Sequence, residues 1–358
     1  MPLIISNEDV IRILTMDDCL AAVERAFLEL GKGDAASRPR SELIVPQPEA
    51  GRHYLLKSWD AALPSIGLAA TRVTSNMMQR GGNGSSSRLD PLPLAGGGTG
   101  YVGLILLFDI QTLELLAIIQ DARLQVMRAG ATYGLAAKYL AREDAKIVGL
   151  LGSGGQAREQ LAAIAAVRHL EKVQVFSPTK AHREAFARNM AERLGVKISV
   201  CDSAREAMRG ADIVATATSS LDPVVLGEWI EPGQHVSFAG PGKGDRFAYE
   251  RASLIVVQTQ DQTLRWQPAR LAAQRPPSRP ATAQEPSPPR GLALLGDIIA
   301  GKDRGRSDLG QVTIFGGFDS SGPGTAYAAV GAIVLEHARR AGLGRELPSN
   351  WFIQQESS

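Results

Sequence analysis

Apolar residues recur at intervals of three and four along residues 8–31, with Leu20, Val23, Phe27 and Leu30 on one face. This spacing predicts an amphipathic helix capped by Thr15 or Asp17 and ending near Gly31. Strand-like stretches follow at Leu43–Val45, Tyr54–Leu56 and Leu68–Thr74, and the apolar runs 101–109 and 113–120 read as a hairpin of buried strands. Residues 123–141 return to helical spacing but are crowded with Ala129, Gly130, Ala131, Gly134, Ala136 and Ala137. Small side chains there predict backbone packed closely on backbone, as where one domain hands over to another. From residue 146 the pattern is regular. Strands fall near 146–151, 172–177, 197–201, 212–218, 235–240 and 253–259, with helices near 156–169, 180–194, 203–209 and 225–230. Such alternation predicts a parallel, doubly wound sheet. A last helical stretch covers 324–341.

Two polar stretches interrupt the pattern. Residues 79–100 are rich in Gly and Ser and read as a mobile loop. Residues 267–290 are dense in Pro, Arg, Ala and Ser and read as a linker or disordered loop. With 358 residues, the chain is expected to build two cores. The division predicted is 1–125 with 318–358 as an α+β domain, and 126–317 as a Rossmann-type α/β domain.

Composition narrows the partners. A net charge of +2 without a basic block gives no reason to expect nucleic acid. Cys19 and Cys201 match no metal or redox spacing, and His53, His182 and His235 belong to no paired-histidine motif, so no metal site is expected. The first residues lack a signal pattern and no apolar run approaches membrane-spanning length, so a cytoplasmic protein without membrane contact is expected.

The most informative run is Ile147-Val148-Gly149-Leu150-Leu151-Gly152-Ser153-Gly154-Gly155-Gln156-Ala157. An apolar strand leads into G-x-G-x-x-A, and a helix follows. Gly152 suits a tight turn, Gly154 lets backbone approach a pyrophosphate, and Ala157 keeps the helix close to the sheet, with the helix N-terminus offering free N–H groups. An NAD-preferring site carries an acidic residue at the end of the second strand. Here Ser177 stands there, followed by Pro178, Thr179, Lys180, His182 and Arg183. Hydroxyls and cations beside the ribose favour a 2′-phosphate, hence NADP over NAD. The alternative is that Thr179 merely caps the next helix while Lys180 and Arg183 are solvated surface.

Several stretches resemble the ornithine cyclodeaminase/mu-crystallin family: Arg128-Ala129-Gly130-Ala131 through Ala141, Leu151–Ala157, Gly210–Ser219 and Gly227–His235. The resemblance runs from about residue 8 to 345 and is strongest over 101–240. It implies a homodimer, a substrate-binding and dimerisation domain completed by the C-terminal helix, and a nicotinamide cofactor bound between domains. Gly152, Ser153, Gly154, Gly155, Gln156, Ala157, Ser177, Thr179, Lys180, Arg183, Thr218, Ser219 and Gly240 form the expected cofactor-binding set.

Family members also place an arginine after the first helix, a lysine in the strand before the long loop, and an arginine on the small-residue helix. Arg40 matches the first, although Arg38 could take that role, and Arg128 matches the third. Arg72 stands where the lysine is usual. Arginine is a poor acid or base, so Arg72 is expected to hold a carboxylate rather than move a proton. Cyclodeaminases carry an aspartate after the fifth strand where this chain has Gly242; Asp245 and Lys243 are candidate substitutes, and Lys57 is a weaker one. The segment after Val312–Phe315 departs from the family pattern. The implied activity is an NADP-dependent oxidoreductase that reduces an α-imino acid or oxidises the matching amino acid. Arg72, Arg128 and Asp245 are then the catalytic candidates, with Arg40, Arg72 and Arg128 on the substrate. The alternatives are a cyclodeaminase-like lyase holding NAD tightly and a non-catalytic dinucleotide-binding protein.

Overall fold

The computed structural model describes residues 1–49, 51–81, 88–94, 97, 100–259, 292–318 and 322–354. Two sheets organise them. The first is built from β1 (Leu3–Ile5), β2 (Ala36–Ser37), β3 (Ser41–Pro46), β4 (Arg52–Leu63), β5 (Leu68–Gly81), β6 (Arg88–Pro91), β7 (Tyr101–Asp109), β8 (Leu115–Gln120) and the late β17 (Arg345–Glu346). Its main order is β17-β1-β8-β7-β5-β4-β2, with β3 on β4 and β6 on β5. All these pairings are antiparallel except β1 with β8.

The expected first helix is in fact two, α1 (Asn7–Ile13) and α2 (Met16–Lys32). Both begin with a capping box. Ser6 and Asp9 exchange bonds at the first, Thr15 and Asp18 at the second. Leu14 between them is extended, so a second start signal inside one apolar stripe breaks the helix. Thr15, not Asp17, is the cap, and Gly33 in the left-handed region ends α2. The expectation of a loop over 79–100 also needs correction. Strand β5 runs on to Gly81, and β6 pairs back onto it with Gln79 opposite Asp90. Glycine and serine content hid this extension of the hairpin. Residues 82–87, 95–96 and 98–99 of that stretch lie outside the described residues, as does the expected 267–290 linker.

The long α3 (Ala122–Leu140) joins the first sheet to the second. Its glycines do what small residues were expected to do. A Cβ on Gly130 would stand 2.6 Å from the Glu159 backbone, and one on Gly134 2.7 Å from Ala163 Cβ, both on α4 (Gly155–Val167). The second sheet contains β9 (Ile147–Leu151), β10 (Lys172–Phe176), β11 (Lys197–Val200), β12 (Ile213–Thr216), β13 (His235–Phe238), β14 (Leu254–Val257), β15 (Leu292–Leu294) and β16 (Thr313–Gly316). The order is β11-β10-β9-β12-β13-β16-β14-β15, parallel throughout. Its first five strands reverse direction of growth between β9 and β12, the switch point where open α/β sheets bind ligands. The remaining helices are α5 (Lys180–Leu194), α6 (Ala204–Met208), α7 (Arg246–Glu250), α8 (Leu295–Ile299) and α9 (Gly324–Ala341). The helix expected over 225–230 is only a 3₁₀ turn, Gly227–Trp229. Both α7 and the β15–α8 unit escaped the sequence pattern because they are too short to show a period.

Helix α9 lies on the first sheet, where a Cβ on Gly324 would meet the Asp60 carbonyl oxygen at 2.8 Å. Close approach there fixes the height of every side chain on its first turns. Among the described residues, no helix is long and apolar enough to cross a membrane.

Candidate functional site

The C-terminal ends of β9, β12 and β13 form one rim. At β9, Gly152 has φ +134° and its N–H is bonded to the Phe176 carbonyl at 2.8 Å; a Cβ there would stand 2.1 Å from the Ala217 carbonyl oxygen. Only glycine fits that turn. Gly154 is the N-cap of α4, and added Cβ atoms on Gly154 and Gly155 would meet nothing within 4 Å. The backbone at the helix start thus faces open space with its first N–H groups unbonded within the helix. The buried Nε2 of Gln156 has no hydrogen-bond partner, whereas Ala157 is fully buried against the sheet. This cradle fits an anionic diphosphate.

Ser153 and Ser177 meet across the first turn with their Oγ atoms 2.8 Å apart. Thr179 is the N-cap of α5 without a side-chain capping bond, and both it and Lys180 are exposed. Arg183 is neither a free cation nor solvated surface. It is buried, Nη1 donates to the Ser177 carbonyl at 2.9 Å, and Nη2 donates to Asp202 at 2.8 Å. It braces the β10–α5 turn from below. Thr218 and Ser219 follow β12 and Gly240 (φ +104°) follows β13, on the same rim.

Arg72 and Arg128 meet at the Tyr327 ring, and Arg40 approaches the neighbouring Trp59. Arg72, from the middle of β5, sits beside Trp59 of β4 in direct cross-strand register. Its guanidinium lies 4.3 Å from the Trp59 ring centre and 4.7 Å from that of Tyr327 on α9. Arg128, fully buried on α3, has its guanidinium 4.4 Å from the centre of the same Tyr327 ring. Its Nη2 donates to Gln125 Oε1 at 2.6 Å and to Tyr327 Oη at 2.5 Å. Arg40 approaches Trp59 at 5.9 Å and bonds Glu42 at 3.2 Å. Arg38 pairs with Asp60 and is the more exposed of the two, whereas Arg40 is the more buried. Lys57 shares Glu42 with Arg40, at 3.1 Å.

The two buried guanidiniums differ in their counter-charge. Arg72 Nε donates to Asp121 Oδ2. Burial acts to lower the Arg72 pKa, but Tyr327 and Asp121 outweigh it and raise it. Arg128 has no carboxylate partner among the described residues, and burial holds its pKa below the usual arginine value. Arginine nevertheless remains charged at any physiological pH. A buried cation without an anion is costly, and its natural complement is an anionic ligand.

A cavity of about 410 Å³ opens beside these groups, lined by Arg40, Trp59, Gln258, Gly296, Asp297 and Gly322 among others. Gly322 lies against Arg128, where a Cβ would stand 2.2 Å from Nη1. Residues 319–321 of the segment that departs from the family pattern lie outside the described residues.

Asp245 has a structural task. It is the N-cap of α7, and Oδ1 accepts from the Ala248 and Gly227 N–H groups at 2.8 and 2.9 Å. Those bonds engage one carboxylate oxygen in folding the 225–250 loop. Lys243 is buried, bonds the Ser220 carbonyl, and has its pKa lowered by burial. It ties the loop after β12 to the loop after β13. Four participants were missed from sequence: Trp59, Asp121, Gln125 and Tyr327. Only Asp121, an acidic residue at a strand–helix junction, carried a local signal, and its side chain caps nothing in α3.

The ornithine cyclodeaminase/mu-crystallin family profile matches residues 1–341. A Δ1-pyrroline-2-carboxylate reductase of Bacillus cereus is 32% identical over 257 residues, 68% of this chain and 74% of that protein. The structure of the Thermococcus litoralis Δ1-pyrroline-2-carboxylate reductase in complex with NADH and L-proline superposes with a TM-score of 0.78 at 29% identity, covering 96% of this chain and all of that one. An archaeal alanine dehydrogenase dimer with bound NAD gives 0.77 at 27% identity, covering 97% and 99%. With Gly152–Ala157 at the first strand turn and Arg128 on the joining helix, the chain belongs to the ornithine cyclodeaminase/mu-crystallin family.

Proposed function

We propose that this protein is a pyridine-nucleotide-dependent reductase of α-imino acids, cyclic or linear, and that it runs the reverse oxidation of the matching amino acids. One observation carries the reading: Arg128, fully buried and lacking a carboxylate partner among the described residues, has Nη1 beside the cavity-lining Gly322. The α-carboxylate of the substrate supplies the missing negative charge, with Arg72 and Arg40 adding positive potential. Two of the named relatives, reductases of a cyclic imino acid, support the same chemistry.

Gly152, Gly154, Gly155 and Gln156 would hold the diphosphate, and the rim residues Thr218, Ser219 and Gly240 would flank the nicotinamide half. The cofactor, when bound, supplies the hydride. The protein's own contribution is to pin the carboxylate, hold the C=N carbon in place and exclude water. A protonated iminium accepts hydride without further protonation, since the C=N electron pair passes to nitrogen as the C–H bond forms. An arginine at position 72 suits this, because no group there has to give up a proton. Ser177 in place of a carboxylate, with Thr179 and Lys180 exposed next to it, supports NADP over NAD. A cyclodeaminase would need a free carboxylate on the 240–245 loop, and the one there is committed to capping α7.

The test is oxidation of NADPH by Δ1-pyrroline-2-carboxylate, Δ1-piperideine-2-carboxylate and mixtures of pyruvate with methylamine. Turnover is expected with at least one, and Arg128→Ala should lower kcat/KM by about two to four orders of magnitude, from roughly 3–5 kcal/mol of lost charge pairing, while NADPH affinity is kept. An inert wild-type protein across that set would overturn the proposal.

A further inference from the structure

Tyr327 touches both buried guanidiniums. Its ring lies 4.7 Å from Arg72 Cζ and 4.4 Å from Arg128 Cζ, and it packs on Trp59 with ring centres 5.9 Å apart. Its hydroxyl accepts from Arg128 Nη2 and donates to Gln125 Oε1 at 2.6 Å. Gln125 in turn accepts from the same Arg128 Nη2, which closes a triangle. Two like charges gathered at one ring repel, and the aromatic ring offers each of them negative π density. The two arginines come from β5 and α3, whereas Tyr327 comes from α9, 199 residues beyond Arg128. The close seat of Gly324 on the Asp60 backbone fixes α9 so that Tyr327 cannot slide.

We propose that Tyr327 is a positioning residue that sets the spacing and orientation of the Arg72 and Arg128 guanidiniums, and thereby the affinity for the substrate carboxylate. The triangle occupies Nη2 of Arg128 and leaves the opposite nitrogen beside the cavity-lining Gly322. Without the hydroxyl, Arg128 is free to rotate Nη2 away from Gln125; without the ring, each cation loses its π contact. The inference rests on the reading of these arginines as the carboxylate grip.

The test uses the full chain with Tyr327→Phe and Tyr327→Leu. Tyr327→Phe keeps the ring and should raise KM for the imino acid about tenfold, whereas Tyr327→Leu should raise it on the order of a hundredfold, in line with one and then two kinds of lost contact. In both, kcat should change less than about threefold, and KM for NADPH should hold within about twofold, because uniform ligand binding shows in KM alone. Gln125→Leu, which removes the acceptor but leaves the ring, should match Tyr327→Phe. Calorimetric titration of pyrrole-2-carboxylate, a planar carboxylate that cannot be turned over by hydride addition to C=N, should show the same graded loss. Wild-type turnover with unchanged imino-acid KM in Tyr327→Phe and Tyr327→Leu would overturn the positioning role alone. A wild-type protein that neither turns over imines nor binds pyrrole-2-carboxylate would overturn the proposed function and this inference with it. Equal loss of NADPH and imino-acid affinity in Tyr327→Phe would mark a general folding defect and also overturn it.

Discussion

Arg72 Nε donates to Asp121 Oδ2 at 2.5 Å, and the two side chains are 5% and 0% exposed. Asp121 stands directly before α3 and caps nothing; its other oxygen lies over Gly103, where a Cβ would come within 2.0 Å. Tyr101, whose pKa is raised by burial and by Asp121, flanks the same carboxylate. A glycine at 103 therefore makes room for the counter-ion that lets a guanidinium sit inside the sheet.

Removing one member of a buried ion pair leaves the other uncompensated, at a cost of about 3–5 kcal/mol. Asp121→Ala should lower the urea midpoint accordingly. The double variant Asp121→Leu, Arg72→Met should recover most of that loss, because an apolar pair has no charge to strand. Equilibrium unfolding of the singles and the double decides it. A double variant as unstable as the sum of its singles would show that the pair has no mutual dependence.

The family's usual lysine offers a second check on the same position. Arginine does not titrate in the accessible range, but an ammonium at 72 does. The wild-type kcat/KM for the imino acid should carry no limb from residue 72 between pH 7 and 10, after allowance for ionisation of the substrate itself. Arg72→Lys should add a falling basic limb as its amine loses the proton. Matching profiles for the two proteins would place residue 72 outside the reacting centre.

Much of this architecture was legible because the relevant signals are local. Gly152-Ser153-Gly154 sits between an apolar strand and a helix, and the alternation from Ile147 to Val257 fixes a parallel sheet. The helix split at Leu14 was hidden because α1 and α2 share one apolar stripe, although Ser6–Asp9 and Thr15–Asp18 both spell a helix start. Tyr327 was illegible for a different reason. It stands in an alanine-rich helix where a single aromatic reads as core, and its partners lie 199 and 255 positions away in the chain (327 − 128 and 327 − 72). The capping of α7 by Asp245 was illegible because proximity along a loop does not reveal that two backbone N–H groups bond one of its oxygens.

Cofactor preference should turn on Ser177. Its Oγ meets Ser153 Oγ at the end of β10, where a carboxylate would contact ribose hydroxyls and repel a 2′-phosphate. Ser177→Asp should shift the ratio of kcat/KM for NADPH over NADH towards NADH by about tenfold or more, a change of about 1.4 kcal/mol per tenfold. Initial rates with both cofactors provide the check. An unchanged ratio would place the selectivity elsewhere on the rim.

The open face of the first sheet supports a second copy of this chain as its partner. Leu43, Leu56 and Val102 are exposed and align across β3, β4 and β7 through Ser75 of β5, with Leu104 two residues on. An apolar row of this kind, left bare on a monomer, marks an interface. Sedimentation should give a dimer, and the double variant Leu56→Lys, Val102→Lys should give a folded monomer by burying like charges face to face. A dimer that survives both substitutions would place the interface on another surface.

His235 gives the second sheet a defined acid sensitivity. It is fully buried between Thr313 Oγ1 and Ser237 Oγ, each at 2.9 Å, and burial, followed by Arg306 and Arg168, lowers its pKa to about 3. The unfolded value is near 6.5. Between those values the unfolded chain binds a proton that the folded chain refuses, so the folded state loses ground as pH falls. The contribution is fully present above pH 6.5 and is lost at about 1.4 kcal/mol per pH unit towards pH 3. Urea unfolding at pH 7 and at pH 4.5 should therefore differ by roughly 2–3 kcal/mol from this residue alone. His235→Gln, which keeps a neutral hydrogen-bonding side chain without a titrating ring, should flatten that part of the curve even where it lowers stability at pH 7. An equally steep acid loss in the variant would assign the sensitivity to other groups.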